Sequence, residues 1–185
     1  MPDEPIVAFQ DVDAERLLGA LCATVTGDGP RAVRLRTSAS QCVVDEPSDV
    51  AAARWFQSLV EMAYLVASAD GFSPEERASL AKLIELATGR AVDHELLEVH
   101  LAELEVQAHV LGRHERVARA AAEVRDQPSV DDALAFAALV AMADGTMAAP
   151  ERDALIELAG HLDIEPVQVE ALLTVLVEDV ERRLR

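Results

Sequence analysis

Ala69-Asp70-Gly71-Phe72-Ser73-Pro74-Glu75-Glu76-Arg77 and Ala143-Asp144-Gly145-Thr146-Met147-Ala148-Ala149-Pro150-Glu151-Arg152 are two versions of one statement. Each Asp-Gly ends an Ala-rich apolar run, and each Pro-Glu opens a second helical pattern. Leucines follow at matching offsets, Leu80 and Leu83 after Glu76 and Leu155 and Leu158 after Glu151. The shift between copies is the same 75 residues for the glutamates (76 to 151) and for the first leucines (80 to 155). The pair therefore predicts a duplicated helix-turn-helix, with carboxylates at equivalent positions around both turns.

Outward from these turns, everything from Ser48 onward reads helical. Ser48 or Asp49 caps a helix that runs to about Ala69. Ser73-Pro74-Glu75-Glu76 is a capping box with proline at the first helical position, and Gly89 stops that helix. Asp93 opens the next helix, Gly112 interrupts or ends it, and the pattern resumes from Arg113 to Arg125. Ser129 caps a helix ending at Asp144-Gly145, Pro150 opens another, and Pro166 opens the last. The segment from Val130 to Ala143 is apolar almost all round, which predicts a central helix. The reading is an all-α bundle of two pseudo-symmetric repeats, about seven helices over residues 48–185.

Residues 1–47 read as an N-terminal appendage. Asp13 to Ala23 is a short amphipathic helix, and Gly27-Asp28-Gly29-Pro30 breaks it. Ala32 to Thr37 alternates and Gln41 to Val44 is β-branched, a pattern compatible with a small hairpin. Arg31, Arg34 and Arg36 would then guard its edge.

Composition narrows the function. The 185-residue chain carries a formal net charge of -18 and only 3% aromatic residues. Such acidity repels phosphate backbones, and few rings are available for stacking on bases, so no nucleic-acid partner is expected. Direct docking on anionic lipid is disfavoured for the same reason. The longest helical apolar run is too short to span a bilayer. Cys22 and Cys42 form no C-x-x-C pair, and the acidic N-terminus has no basic and apolar leader pattern, so the expected location is the cytoplasm. Lys82 is the sole lysine beside many arginines, alanines and valines, a composition suggestive of a GC-rich bacterial genome. No nucleophile elbow, Walker loop or dinucleotide turn appears, so no enzyme is expected.

Asp70 and Asp144 each sit at a helix C-terminus, where the macrodipole costs a carboxylate about 0.3–1 kcal/mol. Two readings offset that cost. In one, each Asp caps the turn after it, with Gly71 or Gly145 at the left-handed position, and the glutamates serve the next helix. In the other, a divalent cation, Ca²⁺ or Mg²⁺, lies between Asp and Glu across each turn, held by Asp70, Glu76, Asp144 and Glu151. The D-x-[DN]-x-[DN]-G spacing of an EF-hand is absent. The copies differ in that the Asp-to-Glu step is one residue longer in the second, where Ala149 is read as replacing the Ser cap.

On these two Ala-Asp-Gly…Glu turns and the Leu-x-x-Leu pattern after each, residues from about 50 to 180 resemble the TerB-like family, small all-helical domains of bacterial tellurite-resistance operons. The resemblance implies two pseudo-symmetric helical units. It also implies a non-enzymatic, metal-linked role in bacterial stress-response or membrane-associated complexes, with the acidic residues of the turns as metal contacts.

Two other groups stand out. His109, Arg113, Arg116 and Arg119 follow helical spacing and read as one basic face. That face either pairs with the protein's own acids or docks an acidic protein partner or a second copy. The histidines are scattered: His94 and His100 lie off one face, and His114-Glu115 lacks a second histidine four residues on, so no histidine-centred metal site is expected.

Overall fold

A computed structural model describes residues 6–7, 9, 11–26, 47–88, 91–125 and 130–185. Among them the chain is an all-α bundle of eight helices. In order these are α1 (Ala14–Thr26), α2 (Pro47–Ala67), α3 (Pro74–Thr88), α4 (His94–Leu111), α5 (Arg113–Val124), α6 (Val130–Ala141), α7 (Ala149–His161) and α8 (Pro166–Leu184). The expected count of seven after residue 47 is met by α2 to α8. The hairpin expected at residues 32–44, its flanking arginines and Cys42 lie outside the described residues.

Several helices start and stop where local chemistry directs, whereas α2 begins at Pro47, ahead of the expected Ser48 or Asp49 cap. Asp93 caps α4 by accepting from Leu96 N–H at 3.1 Å, satisfying a donor the helix leaves free. Pro150 and Pro166 open α7 and α8 at positions that need no amide hydrogen. Gly112 takes φ +88° between α4 and α5, a value alien to a helix.

The core forms around α6. Every side chain from Ala133 to Ala143 is buried, with Phe136 fully enclosed. Alternating alanine with Leu, Phe and Val lets α2 approach closely, and α2 packs mainly against α6 and α5. Leu80, Leu83, Leu155 and Leu158 are all buried in this core, so both Leu-x-x-Leu patterns face inward as their spacing requires. Leu17 and Leu21 of α1 join the same core, and α1 packs against α8 and α3.

The two turns repeat each other bond for bond at first. Ala69 N–H donates to Val66 O at 3.1 Å, and Ala143 N–H to Val140 O at 3.1 Å. Gly71 and Gly145 then take φ +135° and +98°. Past the glycines the copies diverge. The extra residue of the second turn lies in an extended segment, β2 (Thr146–Met147), which pairs antiparallel with β1 (Ile6–Val7). Phe9 N–H donates to Gly145 O at 2.9 Å in the same contact. The added length is thus used to anchor the N-terminal segment. The residue at the Ser73 position is Ala148, and not Ala149, because the extra residue falls before the cap.

Candidate functional site

Both Pro-Glu motifs place a glutamate in the first turn of a helix, where the side chain reaches back to the capping residue. Glu76 Oε2 accepts from Ser73 N–H at 2.6 Å, and Glu76 N–H donates to Ser73 Oγ at 3.1 Å, completing a capping box. Glu151 Oε2 accepts from Ala148 N–H at 2.7 Å. Alanine offers no hydroxyl, so only this half of the box forms.

These caps aim the remaining carboxylate oxygens inward. Glu76 and Glu151 are each only 3% exposed, and their carboxyls lie within hydrogen-bonding reach of each other. Glu151 Oε1 is buried without an N–H or O–H donor. Two adjacent buried carboxylates cannot both stay charged uncompensated; they share a proton or hold a cation. Burial raises the Glu76 pKa. Burial first, and then the facing Glu76, push Glu151 up to about 10. The negative charge of Asp144 bears on Glu76 and that of Asp70 on Glu151, so each aspartate acts on the glutamate of the other turn.

The four carboxylates expected around two separate turns are therefore organised around one glutamate pair. The aspartates are exposed. Asp144 Oδ1 accepts from Thr146 N–H at 2.9 Å and from Thr146 Oγ1 at 3.0 Å, the local turn-capping arrangement.

The basic face is not one face. Gly112 separates His109 on α4 from the three arginines on α5 and resets the helical phase. Arg113 turns inward, its Nη1 donating to Ser68 O at 3.4 Å, and burial lowers its pKa against the opposing charge of Glu157. Arg116 forms an ion pair with Glu61, the two side chains 14% and 13% exposed. Burial raises the Glu61 pKa despite that partner. Arg119 pairs with Glu115 of its own helix at 2.8 Å. His109 is exposed and, with Arg113, lines a cleft of about 640 Å³ that also contains Tyr64, Phe72, Arg77 and Glu98.

One cluster escaped sequence reasoning. His114 of α5 meets Glu157 and His161 of α7, with ligand atoms of all three within 4.8 Å of one another. Among the described residues this is where three potential metal ligands come that close; the acidic turns do not reach that spacing. The available signal was Glu157-x-x-x-His161, one face of one helix; the third member comes from packing.

Cys22 is half-buried, and burial raises its thiol pKa, which disfavours a reactive thiolate. No helix among the described residues is long and apolar enough to cross a membrane. No family model, curated protein or solved structure matches the chain.

Proposed function

We propose that this chain is a TerB-like, non-enzymatic binding module of the bacterial cytoplasm. Its paired acidic turns hold a divalent cation of the Ca²⁺ or Mg²⁺ type, and its helical surface holds a protein partner in a stress-response assembly of the tellurite-resistance kind. The observation that carries the cation reading is the buried Glu76–Glu151 pair flanked by Asp70 and Asp144. A hard cation would replace the shared proton and take oxygen ligands from both glutamates. The aspartates would add negative charge beside the pair, since Asp144 bears on Glu76 and Asp70 on Glu151.

A second reading is a metal-independent structural adaptor. It is favoured by the Thr146 hydrogen bonds that already satisfy Asp144, and by the backbone caps that already occupy one oxygen of each glutamate.

Thermal melting separates the two. A cation bound only by the folded chain at a hundredfold excess over Kd adds about 2.7 kcal/mol. For a chain of this length that raises Tm by roughly 5–10 °C. Monovalent salt at equal ionic strength controls for screening of the net charge. Under the cation reading, Asp70→Asn and Asp144→Asn each lose most of the divalent-specific increment. Coincident divalent and monovalent curves in all three proteins leave the adaptor.

A further inference from the structure

We infer that His114, Glu157 and His161 form a second, chemically distinct metal site, selective for a divalent transition-metal ion such as Zn²⁺. Glu157 and His161 are four residues apart on α7 and so project from the same face. His114, near the start of α5, reaches that face, and its Nδ1 contacts Glu157 Oε1. The His114 and His161 rings stand 5.2 Å apart at 55°, beside each other and not stacked flat.

The donor set is two imidazole nitrogens and one carboxylate oxygen. That combination suits a four-coordinate zinc ion with water as the fourth ligand. Bond lengths of 2.0–2.2 Å in a tetrahedral site put neighbouring ligand atoms about 3.3 Å apart. The three donors already lie within 4.8 Å of one another, so small side-chain rotations close the site. The His114 side chain is 76% exposed and free to make that adjustment. His161 occupies the last turn of α7, where the negative end of the helix dipole favours a cation. The opposing feature is Arg113, whose charge also bears on Glu157. It reduces the carboxylate's pull on an ion without occupying either imidazole.

Imidazole selects transition metals over Ca²⁺ and Mg²⁺, which take oxygen. The site is therefore separable from the acidic turns both by ligand chemistry and by place. It bridges α5 and α7, two helices already in contact, and a bound ion would staple them.

The test is titration of the full-length protein with Zn²⁺ by calorimetry and with Co²⁺ by visible absorption, using the wild type, His114→Gln, His161→Gln and the Asp70→Asn/Asp144→Asn double variant. The wild type and the double aspartate variant should each bind one Co²⁺ with the intense absorption of a tetrahedral complex. Each histidine variant should lose that absorption and bind Zn²⁺ at least about tenfold more weakly. Circular dichroism verifies folding, and the exposed position of His114 keeps its variant interpretable if His161→Gln unfolds. Wild-type Zn²⁺ affinity in His114→Gln, or cobalt binding abolished only by the aspartate substitutions, overturns the assignment. Calcium-dependent melting of the histidine variants reports on the acidic turns separately.

Discussion

The carboxyl groups of Glu76 and Glu151 meet inside the bundle, each projecting from the first turn of a different helix and each tied by one oxygen to its own capping backbone amide. The duplication thereby brings two copies of an ordinary capping glutamate into contact. A helix cap costs nothing unusual when exposed. Two of them facing each other in a core create a site that demands a positive charge, whether proton or cation.

Replacing one partner by its neutral isostere fixes the protonated form. In Glu151→Gln, the amide oxygen keeps the Ala148 bond and the amide N–H donates to Glu76. Because burial raises both native carboxyls, the folded chain retains protons that the unfolded chain releases above about pH 4.3. The pair's contribution to stability is therefore fully present below that value and is lost as pH rises through the raised values. Glu151→Gln should be more stable than the wild type at pH 8 by roughly 1–3 kcal/mol, with the advantage shrinking toward pH 5. Chemical denaturation of both proteins across that range without divalent cations checks this. A constant difference would show that the two carboxyls titrate independently of folding.

The turn glycines and the helix glycines should respond with opposite signs. Gly71 and Gly145 have positive φ, so alanine at either should cost at least about 1 kcal/mol. Gly19 and Gly160 lie within α1 and α7 with nothing within 4 Å of an added Cβ. Alanine there should stabilise by about 0.5–1 kcal/mol. Urea melts of the four variants decide it.

Charge reversal on α5 should divide its arginines. Arg116→Glu sets a second carboxylate against the shielded Glu61 and should destabilise by roughly 3–5 kcal/mol. Arg119→Glu breaks an exposed pair within one helix and should cost no more than about 1 kcal/mol. A docking stripe on this surface would instead show both reversals abolishing association in stably folded monomers, read by sedimentation together with thermal melts.

The contrast between Arg116 and Arg119 marks where sequence reading succeeds. Helices α3, α7 and α8 are legible because Pro at the first turn is local chemistry, joined at α3 by the reciprocal Ser73–Glu76 cap, and α6 because eleven successive buried positions, 133 to 143, leave no polar face. His109 falls out of line with Arg113, Arg116 and Arg119 because counting at helical spacing across Gly112 assumes a phase that φ +88° destroys. The Ala148 cap is displaced by one residue because β2 lengthens the second turn to pair with a strand far away in sequence. The four acidic residues are visible as a repeated pattern, but the meeting of Glu76 with Glu151 depends on how the repeats pack. The His114–Glu157–His161 cluster is similarly illegible, since α5 and α7 must first be placed side by side.

The most direct test of the acidic-turn reading counts protons. Calorimetric titration of the wild type with Ca²⁺ and with Mg²⁺ is performed near pH 7 in two buffers of different ionisation enthalpy. If a cation takes the place held by the shared proton, binding releases about one proton per ion, and both binding and release disappear in the Glu76→Gln/Glu151→Gln double variant. Absence of divalent-specific heat, or binding that releases no proton and survives that double substitution, would contradict a cation held between Glu76 and Glu151.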